Sequence, residues 1–93
     1  MELRVEFYNA ETDRKVEKYI LCFLKKNFTQ RFIQSISVRI KRQENKYMPW
    51  KLEIELNSQG GSILHTQSRG EDRLLAFSQA VDNLERKVFK VRA

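Results

Sequence analysis

The sequence is poor in the residues from which reactive centres are built. Its 93 residues include one cysteine, Cys22, and one histidine, His65. A structural zinc site draws about four ligands from Cys, His and carboxylates, so none is expected. A lone cysteine also makes no intrachain disulfide, which fits a reducing compartment and a cytoplasmic protein. One proline and three glycines leave little material for linkers or low-complexity stretches. No repeat is visible either, and one domain over residues 1–93 is expected. No apolar run approaches the ~20 residues of a membrane span, and the N-terminal MELRVEFY alternates where a signal peptide would have an apolar stretch.

Catalytic groupings are equally scarce. Cys22 falls on an expected helix and His65 on the outward side of an expected strand, so the two lie on opposite sides of a sheet and form no nucleophile pair. Glu53 and Glu55 share one strand face, as paired carboxylates do, but Lys51 and Arg39 beside them point to cross-strand ion pairs. The Gly60-Gly61 pair is followed by no Lys-Ser/Thr and opens no helix, so it reads as a turn and not a phosphate loop. The expectation is a non-enzyme with no metal, cofactor or small-molecule substrate.

What the chain does have is unevenly placed positive charge. Lys and Arg number 18 against 12 Asp and Glu, a net charge of +6. Nine basic residues and one acid lie between Arg14 and Arg42, and four basic residues (Arg86, Lys87, Lys90, Arg92) follow the last acid, Glu85. This polarity favours a polyanionic partner over charge that serves solubility alone.

Periodicity supplies the architecture. Residues 2–8 alternate, with Leu3, Val5 and Phe7 on one face. Residues 12–28 read as a helix capped by Thr12 or Asp13, with Val16, Tyr19, Ile20, Phe23, Leu24 and Asn27 on its apolar face. Lys15, Lys18, Lys25 and Lys26 form another stripe of that helix around Cys22. Such a stripe is self-repelling and lacks the interleaved acids of an ordinary solvated face. Residues 35–42, 50–56 and 63–68 read as strands. Ile36, Val38, Ile40, Trp50, Leu52, Ile54, Leu56, Leu64 and Thr66 point inward, and His65 and Gln67 point outward. Trp50, Tyr47 and Tyr8 could stack on bases if exposed, although the parity that Trp50 shares with Leu52 favours packing. A long helix over 71–91 repeats Leu74, Phe77, Val81, Leu84, Val88 and Val91, with Glu71 and Asp72 in its first turn and Arg86, Lys87 and Lys90 in its last. The predicted fold is α+β, β-α-β-β-β-α: a four-stranded mixed sheet with two helices packed on one face. The first two strands are parallel across a right-handed crossover and the rest form an antiparallel meander.

The segment from Gln59 to Lys90, QGGSILHTQSRGEDRLLAFSQAVDNLERKVFK, resembles the bacterial ribosome hibernation-promoting and ribosome-associated inhibitor family, the sigma-54 modulation proteins. Gly60, Gly61, His65, Gly70, Asp72, Ala76, Val81, Asp82, Leu84, Arg86 and Lys90 stand where that family places the same or similar residues. The first half is similar in order and length, with looser matches. Leu74 stands where the family usually has an aromatic and Ser78 where it often has an acid, and the expectation is the short form of the family, without the second, dimerising domain of long members. The resemblance implies the same β-α-β-β-β-α fold and a partner, the small ribosomal subunit, whose mRNA and tRNA channel the protein would block through contacts to rRNA. It implies no catalysis. Carried over by position, the RNA-binding candidates are Arg86, Lys87 and Lys90 on the last helix, followed by Lys18, Lys25 and Lys26 on the first; Lys15 joins them as a member of the same stripe. Two other readings of the same charge are a general structured-RNA module, similar to a double-stranded RNA-binding domain, and a protein-interaction domain for an acidic partner.

Overall fold

The computed structural model describes residues 1–92, with side chains through Val88. The elements follow the expected order: β1 (Glu2–Tyr8), α1 (Arg14–Asn27), β2 (Ile33–Arg42), β3 (Trp50–Ser58), β4 (Ile63–Gly70) and α2 (Arg73–Arg92). The strands lie in the sheet in chain order, β1-β2-β3-β4, with β1 parallel to β2 and the other pairs antiparallel. Both helices contribute to one buried cluster on one face.

The register turns the alternation of each strand into rows across the sheet. Leu3, Ile36, Leu56 and Leu64 form one inward row; Val5, Val38, Ile54 and Thr66 the next; Phe7, Ile40, Leu52 and Ser68 the third. The residues of these rows on β2 and β3 are fully buried, because helices cover the middle of the sheet. Leu3, Val5, Phe7 and Leu64 on the edge strands are only partly buried. A fourth inward row, Arg42, Trp50 and Gly70, continues the same parity at the end of the sheet.

Both helices begin at caps. Asp13 accepts from the backbone N–H groups of Lys15 (3.0 Å) and Val16 (3.2 Å), satisfying donors that the first turn leaves free. Asp72 does the same for Leu74 (2.7 Å) and Leu75 (3.4 Å). Asp72 is thus the cap of α2, not a residue of its first turn as the sequence suggested. A Cβ on Gly70 would meet the Asp72 carbonyl oxygen at 3.3 Å, so glycine suits this tight link between β4 and α2.

Three inward assignments are corrected. Tyr19 is 51% exposed and Leu74 39% exposed, each at the margin of its apolar stripe. Tyr19 still touches the seam between the helices, its ring centroid 6.4 Å from Phe23 and 6.5 Å from Phe77. Asn27 is also exposed, its amide donating to the Phe23 carbonyl (2.9 Å) in the last turn of α1. The positions that α2 presses on the sheet include Ala76 and Ala80, both fully buried. Their small side chains let backbone approach strand. The buried Thr66 hydroxyl donates to the Ala80 carbonyl (3.0 Å), and the Ser68 hydroxyl donates to that of Ala76. Val91 of the expected repeat lies outside the described side chains.

The helices run in the same direction. At one end Arg73 of α2 pairs with Asp13 beside α1 (3.0 Å). At the other, Asn27, Phe28 and Gln30 line a small cavity with Glu85 and Val88. None of the described helices is long and apolar enough to cross a membrane.

Candidate nucleic-acid interface

The two surfaces of the molecule treat their charges differently. The outward rows of the sheet include Arg4, Arg39, Lys41 and Lys51 among Glu2, Glu6, Glu53 and Glu55. Register places Arg39 directly opposite Glu53 and Lys41 opposite Lys51. Glu53 sits among three cations: Lys41 at 3.2 Å, Lys51 at 3.4 Å and Arg39 at 3.6 Å. Arg39 also reaches Glu55 at 3.3 Å, and Arg4 pairs with Glu2 at 2.8 Å. Partial burial raises the Glu53 pKa, but the Lys41 hydrogen bond and charge, and then those of Lys51, outweigh it and leave it below its ordinary value. The expected pairing of Glu53 and Glu55 with Lys51 and Arg39 is therefore present, and with the Arg4–Glu2 pair it occupies every cation of this face but Arg69, which is exposed opposite Lys51.

The helical surface is organised otherwise. Lys15, Lys18, Lys25 and Lys26 are all exposed, and among the described residues none has a carboxylate within salt-bridge distance. Helical spacing aligns Lys15, Lys18, Cys22 and Lys25 along ~15 Å of α1. Cys22 is exposed among them. Lys25 and Lys26 occupy the last turn of α1, where the helix dipole favours cations.

Arg86 and Lys87 lie apart from that stripe. They flank β4, in an open cleft shared with His65, Thr66, Gln67 and Asn83. The Lys87 ammonium donates to the His65 backbone carbonyl, which holds this side chain against the outer edge of the sheet. The structure thus groups Arg86 with Lys87 and places the four lysines on a separate helix. The side chain of Lys90 lies outside the described residues. His65 and Cys22 sit on opposite sides of the sheet, and the described residues contain no cluster of three or more metal-binding side chains.

A further basic grouping was not anticipated. Arg14, Lys15, Arg42 and Arg73 line an open cleft of about 580 Å³ with Ala10, Glu11, Thr12, Asp13 and Trp50. The guanidinium groups of Arg42 and Arg73 lie over the Trp50 ring, 5.3 and 5.0 Å from its centroid. Trp50 is thus half-buried packing under two arginines rather than a bare stacking platform. The parity of Arg42, two residues beyond Ile40, was the available signal in the sequence. Asp13 is held below its ordinary pKa by the Val16 backbone N–H and by Arg73.

Comparison with known proteins places this geometry in context. No curated protein sequence matches the chain. Among solved structures, a ribosomal subunit interface protein from Coxiella burnetii superposes with a TM-score of 0.85 at 14% identity, covering 99% of this chain and 98% of the other. The N-terminal domain of Thermus thermophilus Protein Y superposes with a TM-score of 0.79 at 20% identity, covering 98% and 99%. At these identities the likeness shows the fold. The sequence model of the Sigma 54 modulation protein / S30EA ribosomal protein family matches residues 3–93, nearly the whole chain, so this protein belongs to that family.

Proposed function

We propose that the chain binds the small ribosomal subunit through rRNA, occupies the channel that messenger and transfer RNA would use, and so inhibits translation or preserves idle ribosomes under stress. The observation that carries this reading is the division of charge. Four of the five cations on the sheet face, Arg4, Arg39, Lys41 and Lys51, are paired with glutamates and only Arg69 is not, whereas those of α1 and the α2 flank have no acidic partner among the described residues. Unpaired lysines and arginines attract phosphates without first breaking an ion pair. The family's name and that of the Coxiella burnetii ribosomal subunit interface protein support a ribosomal partner.

In this reading Lys15, Lys18, Lys25 and Lys26 contact phosphates from α1, and Arg86, Lys87 and Lys90 do so from α2. Such contacts position the domain by shape and leave base sequence unread. The mechanism is steric, with no catalytic step or cofactor, and it operates in the cytoplasm as a single domain. If all seven cations engage, the logarithm of the binding constant falls with that of salt concentration with a slope of about −5 to −6.

Sedimentation with 30S and 70S ribosomes through sucrose, at low and moderate salt, tests the proposal. Stoichiometric, salt-sensitive co-sedimentation that is lost in the combined Arg86→Ala, Lys87→Ala, Lys90→Ala variant is expected. Absence from the ribosome peaks at low salt would refute it. Equal affinity for free duplex RNA and for ribosomes would instead identify a general structured-RNA module.

A further inference from the structure

The cleft where both helices begin lies apart from the Arg86 and Lys87 flank and meets the lysine stripe only at Lys15. Its walls come from four parts of the chain: the Ala10–Asp13 connection, the first turn of α1, the adjoining ends of β2 and β3, and the first residue of α2. Arg42 and Trp50 are register partners on the helix side of the sheet, in the row that continues the core. An arginine at core parity is costly unless it faces water or an anion. Here it emerges over the indole, and Arg73 does likewise.

The charges do not cancel. Arg73 is tied to Asp13 at 3.0 Å. That leaves Arg14, Lys15 and Arg42 against Glu11, an excess of two positive charges at the cleft. Among the described residues, none of these three cations pairs with an acid. The backbone N–H groups of Lys15 and Val16 at one helix start, and of Leu74 and Leu75 at the other, are already committed to Asp13 and Asp72, so the attraction for an anion comes mainly from side chains. Contact with the Trp50 ring also restricts Arg42 and Arg73, which lowers the rotamer entropy that guanidinium groups lose on binding. Planar donors held beside a cleft with two surplus positive charges suit the oxygens of a phosphate group.

We propose that the cleft lined by Arg14, Lys15, Arg42 and Arg73 around Trp50 is a phosphate-binding site. Arg42 and Arg14 donate to the phosphate oxygens, Lys15 adds charge, and Trp50 with Asp13 fixes the two arginines that flank it. The phosphate is carried either by an RNA strand or by a small phosphorylated molecule. The site does not depend on ribosome binding, since the isolated domain contains all of it.

Trp50 is the only tryptophan in the chain, so its fluorescence reports on this cleft alone. The purified protein is titrated at low salt with inorganic pyrophosphate and, separately, with a single-stranded uridine hexamer. A saturable change in Trp50 emission is expected, with the dissociation constant raised about tenfold or more in Arg14→Gln and in Arg42→Gln, the usual effect of losing one charge-assisted hydrogen bond. Arg4→Gln, on the outward face of the sheet, should leave it unchanged. Thermal melts of each variant separate loss of the site from loss of the fold. A response to the hexamer alone assigns the phosphate to RNA, and a response to pyrophosphate alone assigns it to a small molecule. No change with either ligand, or equal affinity in all variants, overturns the proposal. Ribosome co-sedimentation with Arg14→Gln and Arg42→Gln keeps the two questions apart: loss of the fluorescence response with sedimentation intact leaves the ribosomal reading standing.

Discussion

Replacing Glu53 by Gln isolates the device that keeps the outer face of the sheet near neutrality. Glu53 is 9% exposed and meets three cations between 3.2 and 3.6 Å. At an effective dielectric constant near 20, one such contact at about 4 Å has a gross attraction of about 4 kcal/mol, most of it cancelled by desolvation and by repulsion among the cations. The glutamine keeps the shape but leaves Arg39, Lys41 and Lys51 facing one another. Those side chains are 20–35% exposed and can turn partly to water, so the loss should fall near the range for hydrogen bonds to charged groups, about 1.5–3 kcal/mol. For a domain of this size that lowers Tm by roughly 6–24 °C. The pH dependence provides a second check. The folded pKa of Glu53 lies below its ordinary 4.5, so its stabilisation is present above that value and is lost as pH falls through the folded pKa. Urea unfolding of both proteins at neutral pH and at successively lower pH below 4.5 should therefore show a gap that narrows on acidification. A Glu53→Gln protein as stable as the parent at neutral pH, or a gap unchanged in acid, would refute the reasoning.

Three other outcomes follow from the packing and the charge. Ile54→Ala, at the fully buried centre of β3, should cost about 2–5 kcal/mol in urea unfolding, because β2, β4 and the helices cannot all close on the void. Thr66→Val keeps the volume but removes the hydroxyl that α2 receives at Ala80, and should cost about 1 kcal/mol by the same assay. Lys18→Ala and Lys25→Ala, which break no contact of the fold, should leave stability within ~0.5 kcal/mol of the parent while each flattens the salt dependence of ribosome binding by about 1.

The sheet was legible because its two faces meet different surroundings. Helices on one side and water on the other enforce the alternation in each strand, so residues such as Ile36, Val38 and Ile40 declare their direction in the sequence alone. Charge composition likewise marked the lysines of α1. The core positions of Ala76 and Ala80 were missed because a search for apolar stripes weighs large side chains, whereas close approach of a helix to a strand requires small ones. Tyr19 and Leu74 fall at the margin of a stripe, where a few degrees of helix rotation decide exposure. The Arg42, Trp50 and Arg73 grouping was hidden for another reason. It joins residues from two adjacent strand ends and a helix start 23 positions beyond Trp50, and only the register makes them neighbours.

The strand order has a consequence for how the chain acquires its structure. Every pair of adjacent strands is consecutive in the sequence, so each pairing closes a short or moderate loop. Proteins with such local pairings reach the native state faster than those that must bring distant segments together. During synthesis β1, α1 and β2 emerge first and can associate, with α1 over the β1 side. The inward residues of β3 and β4 have no such cover until α2 has been made, since that helix packs against them. The nascent meander therefore passes through a stage with Leu52, Ile54 and Leu56 open on one face, and the final helix ends that exposure by docking.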